Sequence, residues 1–442
     1  MKSKVNRCFS VVLILLLGVA VVLGACAPTP TPGPTPGPTA DEPVGEPIKV
    51  GSIEGYSSPT TAEIAGDNYA VLNLAADKVN AAGGLLGRPV EVVRRDNAGS
   101  PEQSTRMAKE LYQKEGCEVI FCAGPGSANA MAVSMVAKDV KKLVFVTAPK
   151  ATTFTCEEYH PYIFRTCTTV YAEAAASATV ALELIKGIEN PKVEFIGWDY
   201  IYPRELEERM QVIMEAAVSG LQWGSYFPAM GELDFSPQLA KIQASKPDLV
   251  LSSMWGPGAV SFYKQAAAFE LFEPGAALSF NVGGESLHSA VLWAGGEYLP
   301  VGSWANGNEI AAWPGNEGQR EYHEAVMAVT GKKYVSGYSY YTDISFRCWA
   351  KAVDKAGTLD TMEVIKALEG MTIDTFQGEM SIREFDHNFN SLMIFAPVKA
   401  IPDPPYREPD TDKLMVIEIK DVLWDYDTWY ESSGHVGGQV LD

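Results

Sequence analysis

Three groups of residues in this chain have types that could do chemistry: its histidines, its cysteines, and the hydroxyls that follow short apolar runs. The five histidines are scattered, so they suggest neither a metal site nor an obvious general base. His323-Glu324 opens an H-E pair with no second histidine to complete H-E-x-x-H. There is no G-x-S-x-G elbow and no G-x-x-x-x-G-K-[ST] loop, and Gly124-Pro125-Gly126 lacks the third glycine of a dinucleotide fingerprint. The seven cysteines include no C-x-x-C pair. Cys8 and Cys26 lie near the N-terminus, which leaves Cys117, Cys122, Cys156, Cys167 and Cys348. That odd remainder requires at least one free or intermolecular thiol. Cys156 and Cys167 suit a bridge across a loop, and equally suit two buried thiols. Ser127 stands where an apolar run gives way to a helical pattern. Its hydroxyl can cap that helix, or it can face an anion together with the first N–H groups. These residues describe binding rather than bond-making, and no cofactor motif is present.

The elements that must hold such residues alternate regularly. A strand is expected over Ile48–Ile53 and a helix over Thr61–Asn80, with Ile64, Val71, Leu72, Ala75 and Val79 on one face. Gly83-Gly84 stops the helix. A strand at Val90–Val93, a helix opening at Pro101, a strand at Val119–Phe121, a helix near Ser127–Lys138 and a strand at Leu143–Val146 follow. The pattern restarts after Thr169. It gives a helix at Ala172–Lys186, a strand at Val193–Ile196, a helix at Arg204–Ser219, a strand at Leu249–Ser252 and a helix at Ala259–Phe269. Later helices are expected at Glu317–Thr330, Asp343–Ala356 and Thr361–Leu368. Strand–helix alternation implies parallel sheets with helices on both faces, and two such units imply an α/β protein of two doubly wound lobes. Ligands in these sheets bind at the carboxyl ends of the strands.

The N-terminus follows a different logic. Lys2, Lys4 and Arg7 precede an apolar run from Val11 to Ala25. That run is shorter than the roughly 18–20 residues a membrane-spanning helix needs, and has the layout of an export signal. It ends Leu23-Gly24-Ala25-Cys26, which resembles the lipobox of bacterial lipoproteins and implies acylation of Cys26 after removal of residues 1–25. Residues 26–46 are rich in Pro, Thr and Gly and should form an extended, solvated stalk. With 35 basic and 55 acidic residues the net charge is −20, which disfavours nucleic acid as a partner.

One stretch of the body is more specific. Asn80-Ala81-Ala82-Gly83-Gly84-Leu85-Leu86-Gly87-Arg88-Pro89 and Arg95-Asp96 resemble the opening of the branched-chain amino-acid binding proteins, the type I periplasmic binding proteins of ABC importers. Further matches follow in order: Gly124-Pro125 with Ser127, Tyr162-Ile163-Phe164-Arg165-Thr166, Asp199-Tyr200-Ile201-Tyr202 and Gly283-Gly284-Glu285. The resemblance runs from about Ile48 to Pro397. It implies a three-crossover hinge between lobe 1 (46–169 and 303–390) and lobe 2 (170–302 and 391–442). It also implies an extracytoplasmic, lipid-anchored receptor that hands a small molecule to a membrane permease. A ligand sensor of the same fold fits the same residues.

The resemblance assigns candidate ligand contacts residue by residue. Ser127 would hold a ligand carboxylate, and Thr152 both the carboxylate and the ammonium group. The carbonyl of Lys150 would accept from the ammonium, and Glu285 would pair with it across the cleft. Tyr202 and Trp255 would supply aromatic walls, although Pro203 stands where the family's tyrosine motif has glycine. An α-amino acid with an apolar side chain is the expected ligand; aromatic or aliphatic acids and amides are the alternatives.

Overall fold

The computed structural model describes residues 42–122, 124, 126–282, 296–306, 317–332, 335–375, 378–402 and 407–433. The leader, Cys26, most of the stalk and Glu285 lie outside these residues.

Five short runs build the first sheet: β1 (Ile48–Glu54), β2 (Val90–Asp96), β3 (Val119–Cys122), β4 (Leu143–Val146) and β5 (Ile163–Arg165), all parallel in the order β2-β1-β3-β4-β5. The central strands β3 and β4 are buried along their whole length, as expected of strands covered on both faces. One face packs Val50, Phe121 and Phe145 against Val71, Leu72 and Ala75 of α1 (Ala62–Ala81). The other packs Ile53, Ile120 and Val144 against α2 (Pro101–Glu110) and α3 (Ser127–Val140).

The turn between α1 and β2 gives the N-A-A-G-G signature a physical reading. The Asn80 amide accepts from the Val90 N–H at 2.7 Å and donates to the Val90 carbonyl at 3.0 Å, which clamps the helix end to the new strand. Gly84 has φ +79°, and a Cβ there would lie 2.3 Å from the Arg88 carbonyl oxygen, so only glycine fits the close approach.

The second sheet contains β6 (Lys192–Ile196), β7 (Gln222–Tyr226), β8 (Leu249–Ser252), β9 (Leu278–Asn281) and β10 (Trp304–Asn306). A small antiparallel sheet, β11 (Thr372–Thr375), β12 (Gly378–Ile382) and β13 (Phe389–Asn390), comes next in sequence. The chain then adds β14 (Leu392–Ala400), β15 (Arg407–Pro409) and β16 (Met415–Glu418) to the second sheet, whose order is β15-β14-β10-β9-β8-β6-β7, with β16 also on β14. Pairing is parallel from β7 to β10 and antiparallel beyond, so this sheet is mixed rather than wholly parallel. Helices α4 (Val170–Leu184) and α5 (Ile201–Ala217) cover one face; α6 (Ser236–Ser245) and α7 (Gly256–Ala268) cover the other.

Strand β10 pairs Trp304 with Phe280 and Ala305 with Asn281, so 304–306 belongs to the second sheet, not to the first-lobe stretch beginning at 303. The chain next packs α8 (Glu317–Thr330), α9 (Gly337–Ala356) and α10 (Thr361–Leu368) onto the first sheet's core through Val326, Trp349, Ile365 and their neighbours. Helix α9 begins at Gly337 rather than Asp343, because the Ser336 hydroxyl caps it by accepting from Tyr338 N–H and the tyrosines that follow are buried. Asp386, fully buried just before β13, accepts from Asn388 at 2.7 Å and from the Trp424 indole at 2.8 Å. It also lies 3.1 Å from the Arg383 guanidinium. Cys117, Cys122, Cys156, Cys167 and Cys348 are all buried and none is in a disulfide, so no Cys156–Cys167 bridge forms. Among the described residues no helix is long and apolar enough to cross a membrane.

Candidate functional site

The carboxyl ends of the parallel strands converge on one cavity of about 360 Å³. The first sheet contributes Glu54 and Gly55 at the end of β1, Asn97 to Gly99 after β2, and Cys122, Gly124, Gly126 and Ser127 at and beyond the end of β3. The second contributes Tyr200 after β6, Met230 after β7 and Trp255 after β8. This is where helix N-termini present free N–H groups in doubly wound sheets.

Ser127 is the first residue of α3, and the extended Gly126 is its N-cap. The serine is therefore not a cap. Its hydroxyl is buried, lines the cavity, and has no hydrogen-bond partner among the described residues. Asn129 and Ala130 donate their N–H groups back to the Gly126 carbonyl. The earlier N–H groups of the helix have no intrahelical acceptor and suit an anion.

Trp255 and Tyr200 form the aromatic side. Trp255 is the extended N-cap of α7, and its indole N–H donates to the Tyr200 hydroxyl at 3.1 Å. Gly256 at φ +63° lets the chain turn from that cap into the helix. Burial pushes the Tyr200 hydroxyl's pKa above its ordinary value, so the group stays protonated at neutral pH.

The other expected contacts are placed differently. Tyr202 lies on the inner face of α5 with Leu206, Met210 and Met214, a spacing of four that sends it into the core. Pro203 sits in the first helical turn, where proline is tolerated, and this sets the helix register so that Tyr200, not Tyr202, lines the cavity. The Lys150 carbonyl already accepts from the Val170 N–H at 2.8 Å and from Arg165 at 3.3 Å, which leaves it poorly suited to receive a ligand ammonium. The Lys150 ammonium donates to Glu173 Oε1 at 2.8 Å, and the Asn306 amide donates to the same oxygen at 3.1 Å. Thr152 begins the short helical turn Thr152–Thr155; its N–H donates to Glu205 at 3.4 Å and its buried hydroxyl has no partner. It is not among the residues lining the cavity. The structure thus brings Ser127 and Trp255 together and leaves Lys150 and Thr152 off the lining.

Sequence reasoning missed Glu54. It ends β1, is 1% exposed, and lines the cavity. The Asn68 amide donates to its Oε2 at 3.1 Å, while its Oε1 has no hydrogen-bond partner. Burial pushes this carboxyl well above the usual carboxylate range; the Asn68 bond opposes the rise and the negative charge of Asp67 adds to it. The available signal was a lone acid closing an otherwise apolar, fully buried strand end. Among the described residues no cluster of His, Cys, Asp and Glu could hold a metal ion.

Residues 47–402 match the family model described as periplasmic binding protein. A Leu/Ile/Val-binding protein homolog 4 of Brucella abortus is 25% identical over 370 residues, covering 79% of this chain and 83% of the relative. In structure, the chain is similar to a leucine-, isoleucine-, valine-, threonine- and alanine-binding protein from Brucella ovis in its closed conformation, with TM-score 0.71, 19% identity, and coverage of 86% and 97%. It is also similar to an ABC transporter solute-binding protein from Rhodopseudomonas palustris in complex with benzoate, with TM-score 0.68, 21% identity, and coverage of 80% and 94%. A family match over most of the chain, on two doubly wound sheets whose strand ends share one cavity, places this protein in the type I periplasmic binding protein family, a family of solute-binding proteins.

Proposed function

We propose that the protein is the extracytoplasmic receptor of an ABC importer, anchored by a lipid on Cys26, and that it captures an α-amino acid between two lobes. The observation that carries this reading is the cavity shared by the strand ends of both sheets, with the unpartnered Ser127 hydroxyl at the start of α3 on one side and the Tyr200–Trp255 pair on the other. A carboxylate would lie at the α3 N-terminus and an apolar side chain against the aromatics. In this reading each sheet is the core of one lobe, and the chain crosses near Thr169, after β10 rather than at Gly302, and near Asn390. A ligand with contacts on both sides favours the closed arrangement, and a membrane permease reads that closure.

The two aromatic walls also suit a benzoate-like acid, the class of ligand held by the Rhodopseudomonas protein. A thermal-shift screen of the purified body against amino acids and small aromatic acids separates the readings. Stabilisation by at least one amino acid, weakened about tenfold in affinity by Ser127→Ala, is the expected result. Stabilisation by aromatic acids alone would favour the second reading. A chain that no small carboxylate stabilises would not be a receptor of this kind.

A further inference from the structure

The cavity contains a buried carboxyl group, Glu54, one of whose oxygens has no hydrogen-bond partner among the described residues. Glu54 Oε1 is buried and unbonded, and Gly124, on the lining of the same cavity, would carry a Cβ 3.8 Å from Glu54 Oε2. Among the described residues the charge that acts on this carboxyl is Asp67, which raises its pKa further. Lys332 is engaged by Asp67 at 2.6 Å and Glu63 at 2.9 Å, and Arg94 lies over the Tyr56 and Tyr69 rings. A buried acid held without a counter-charge is costly unless something completes it. Ser127 lines the same cavity at the positive end of α3, and its buried oxygen also has no hydrogen-bond partner among the described residues. The lining therefore offers an anion-binding end and a cation-binding end within one small volume.

We infer that Glu54 is the specificity-determining residue of this site, binding the ammonium group of a zwitterionic ligand whose carboxylate lies at Ser127 and the start of α3. This deepens the amino-acid reading above and rests on it. The ligand nitrogen donates to Oε1 while Asn68 continues to hold Oε2. The paired charges then satisfy each other in surroundings that exclude water, where such charge-assisted bonds are strongest. The same group disfavours an acid that lacks the amine, because that ligand offers Oε1 no cation and places its own negative charge close to a buried carboxyl.

The test compares matched ligands that differ only in the amine: L-leucine against isocaproate, and L-phenylalanine against hydrocinnamate, by calorimetry on the full folded body. The wild-type protein should bind at least one amino acid more tightly than its amine-free twin by tenfold or more. Glu54→Gln, of the same shape, should cost that amino acid roughly ten- to a hundredfold in affinity while leaving or improving the twin. A merely structural role would weaken both twins alike. An amino acid bound equally by wild type and Glu54→Gln overturns the assignment of Glu54 but leaves the receptor reading intact. Wild-type preference for the amine-free twins, or binding of benzoate with no binding by any amino acid, overturns it as well. If none of these compounds binds, both the inference and the receptor reading fail.

Discussion

The buried pair between Lys150 and Glu173 allows a quantitative expectation. Lys150 lies in the loop after β4 of the first sheet, and Glu173 lies in the first turn of α4, which covers the second. Their side chains are 4% and 0% exposed at 2.8 Å, and Asn306 at the end of β10 binds the same carboxylate oxygen. Glu173→Leu removes the carboxylate that pairs with the buried ammonium, and breaking a buried pair from one side costs about 3–5 kcal/mol. Lys150→Met alone should cost comparably near neutral pH, since it leaves the carboxylate with Asn306 as its remaining named donor. The double variant Lys150→Met/Glu173→Leu replaces the pair with apolar surface and should recover most of the loss. Denaturant melts of the four proteins at neutral pH would measure the coupling. Single variants costing under about 1 kcal/mol, or a double variant no better than their sum, would refute the view that two buried charges hold the crossing together.

The remaining expectations concern single groups. Because burial raises the Glu54 carboxyl in the folded chain, the stability tied to its proton is full at low pH and lost as pH rises through the folded value. Glu54→Gln should therefore raise the melting temperature of the ligand-free protein, by a margin that widens from about pH 5 to about pH 8; scanning calorimetry showing no widening would contradict this. His160 is held neutral, donating from Nε2 to Ser134 at 2.8 Å and accepting the Tyr162 N–H on Nδ1, and burial lowers its pKa from 6.5 to about 3. Stability should thus fall as pH drops from 6.5 toward about 3, and His160→Gln should shift acid unfolding to lower pH, followed by circular dichroism. Cys26→Ala should leave an unlipidated, longer chain or release it to the soluble fraction; intact mass showing a lipid-free mature protein that begins elsewhere would end the tether reading.

The sequence was most informative where local chemistry and the fold agree. The apolar runs of β3 and β4 are short and uninterrupted because helices bury both their faces, and the Asn80–Gly84 turn repeats a side-chain clamp that tolerates few residues. The site was less legible for the opposite reason. Tyr200 and Tyr202 differ in sequence by one intervening residue, and only the start of α5, set at Ile201 with Pro203 in its first turn, decides which ring reaches the cavity. The Lys150 carbonyl looked like an acceptor for the ligand ammonium because the loop matched, yet Val170 and Arg165 occupy that oxygen from segments that no local pattern links to it. Glu54 was hidden because an acid at a strand end usually meets water; its burial depends on α1, which supplies Asn68, and on the strand ends packed around it. The antiparallel edge of the second sheet depends on a return of the chain from the first, a long-range pairing with no signature in its own residues.

The unpaired cysteines have a practical consequence. Desolvation pushes the Cys117, Cys156 and Cys348 thiols up to about 12, so at neutral pH almost none of each is the reactive thiolate while the fold is closed. They are placed in separate interiors: Cys117 under α2, Cys348 within α9 against the first sheet, and Cys156 in the core beneath α4 and α5. Each thiol is thus a dormant label that becomes accessible to a maleimide only when its own region opens. Pulsed alkylation read by peptide mass would time the breathing of the two halves of the molecule separately, in the natural sequence and without an added probe.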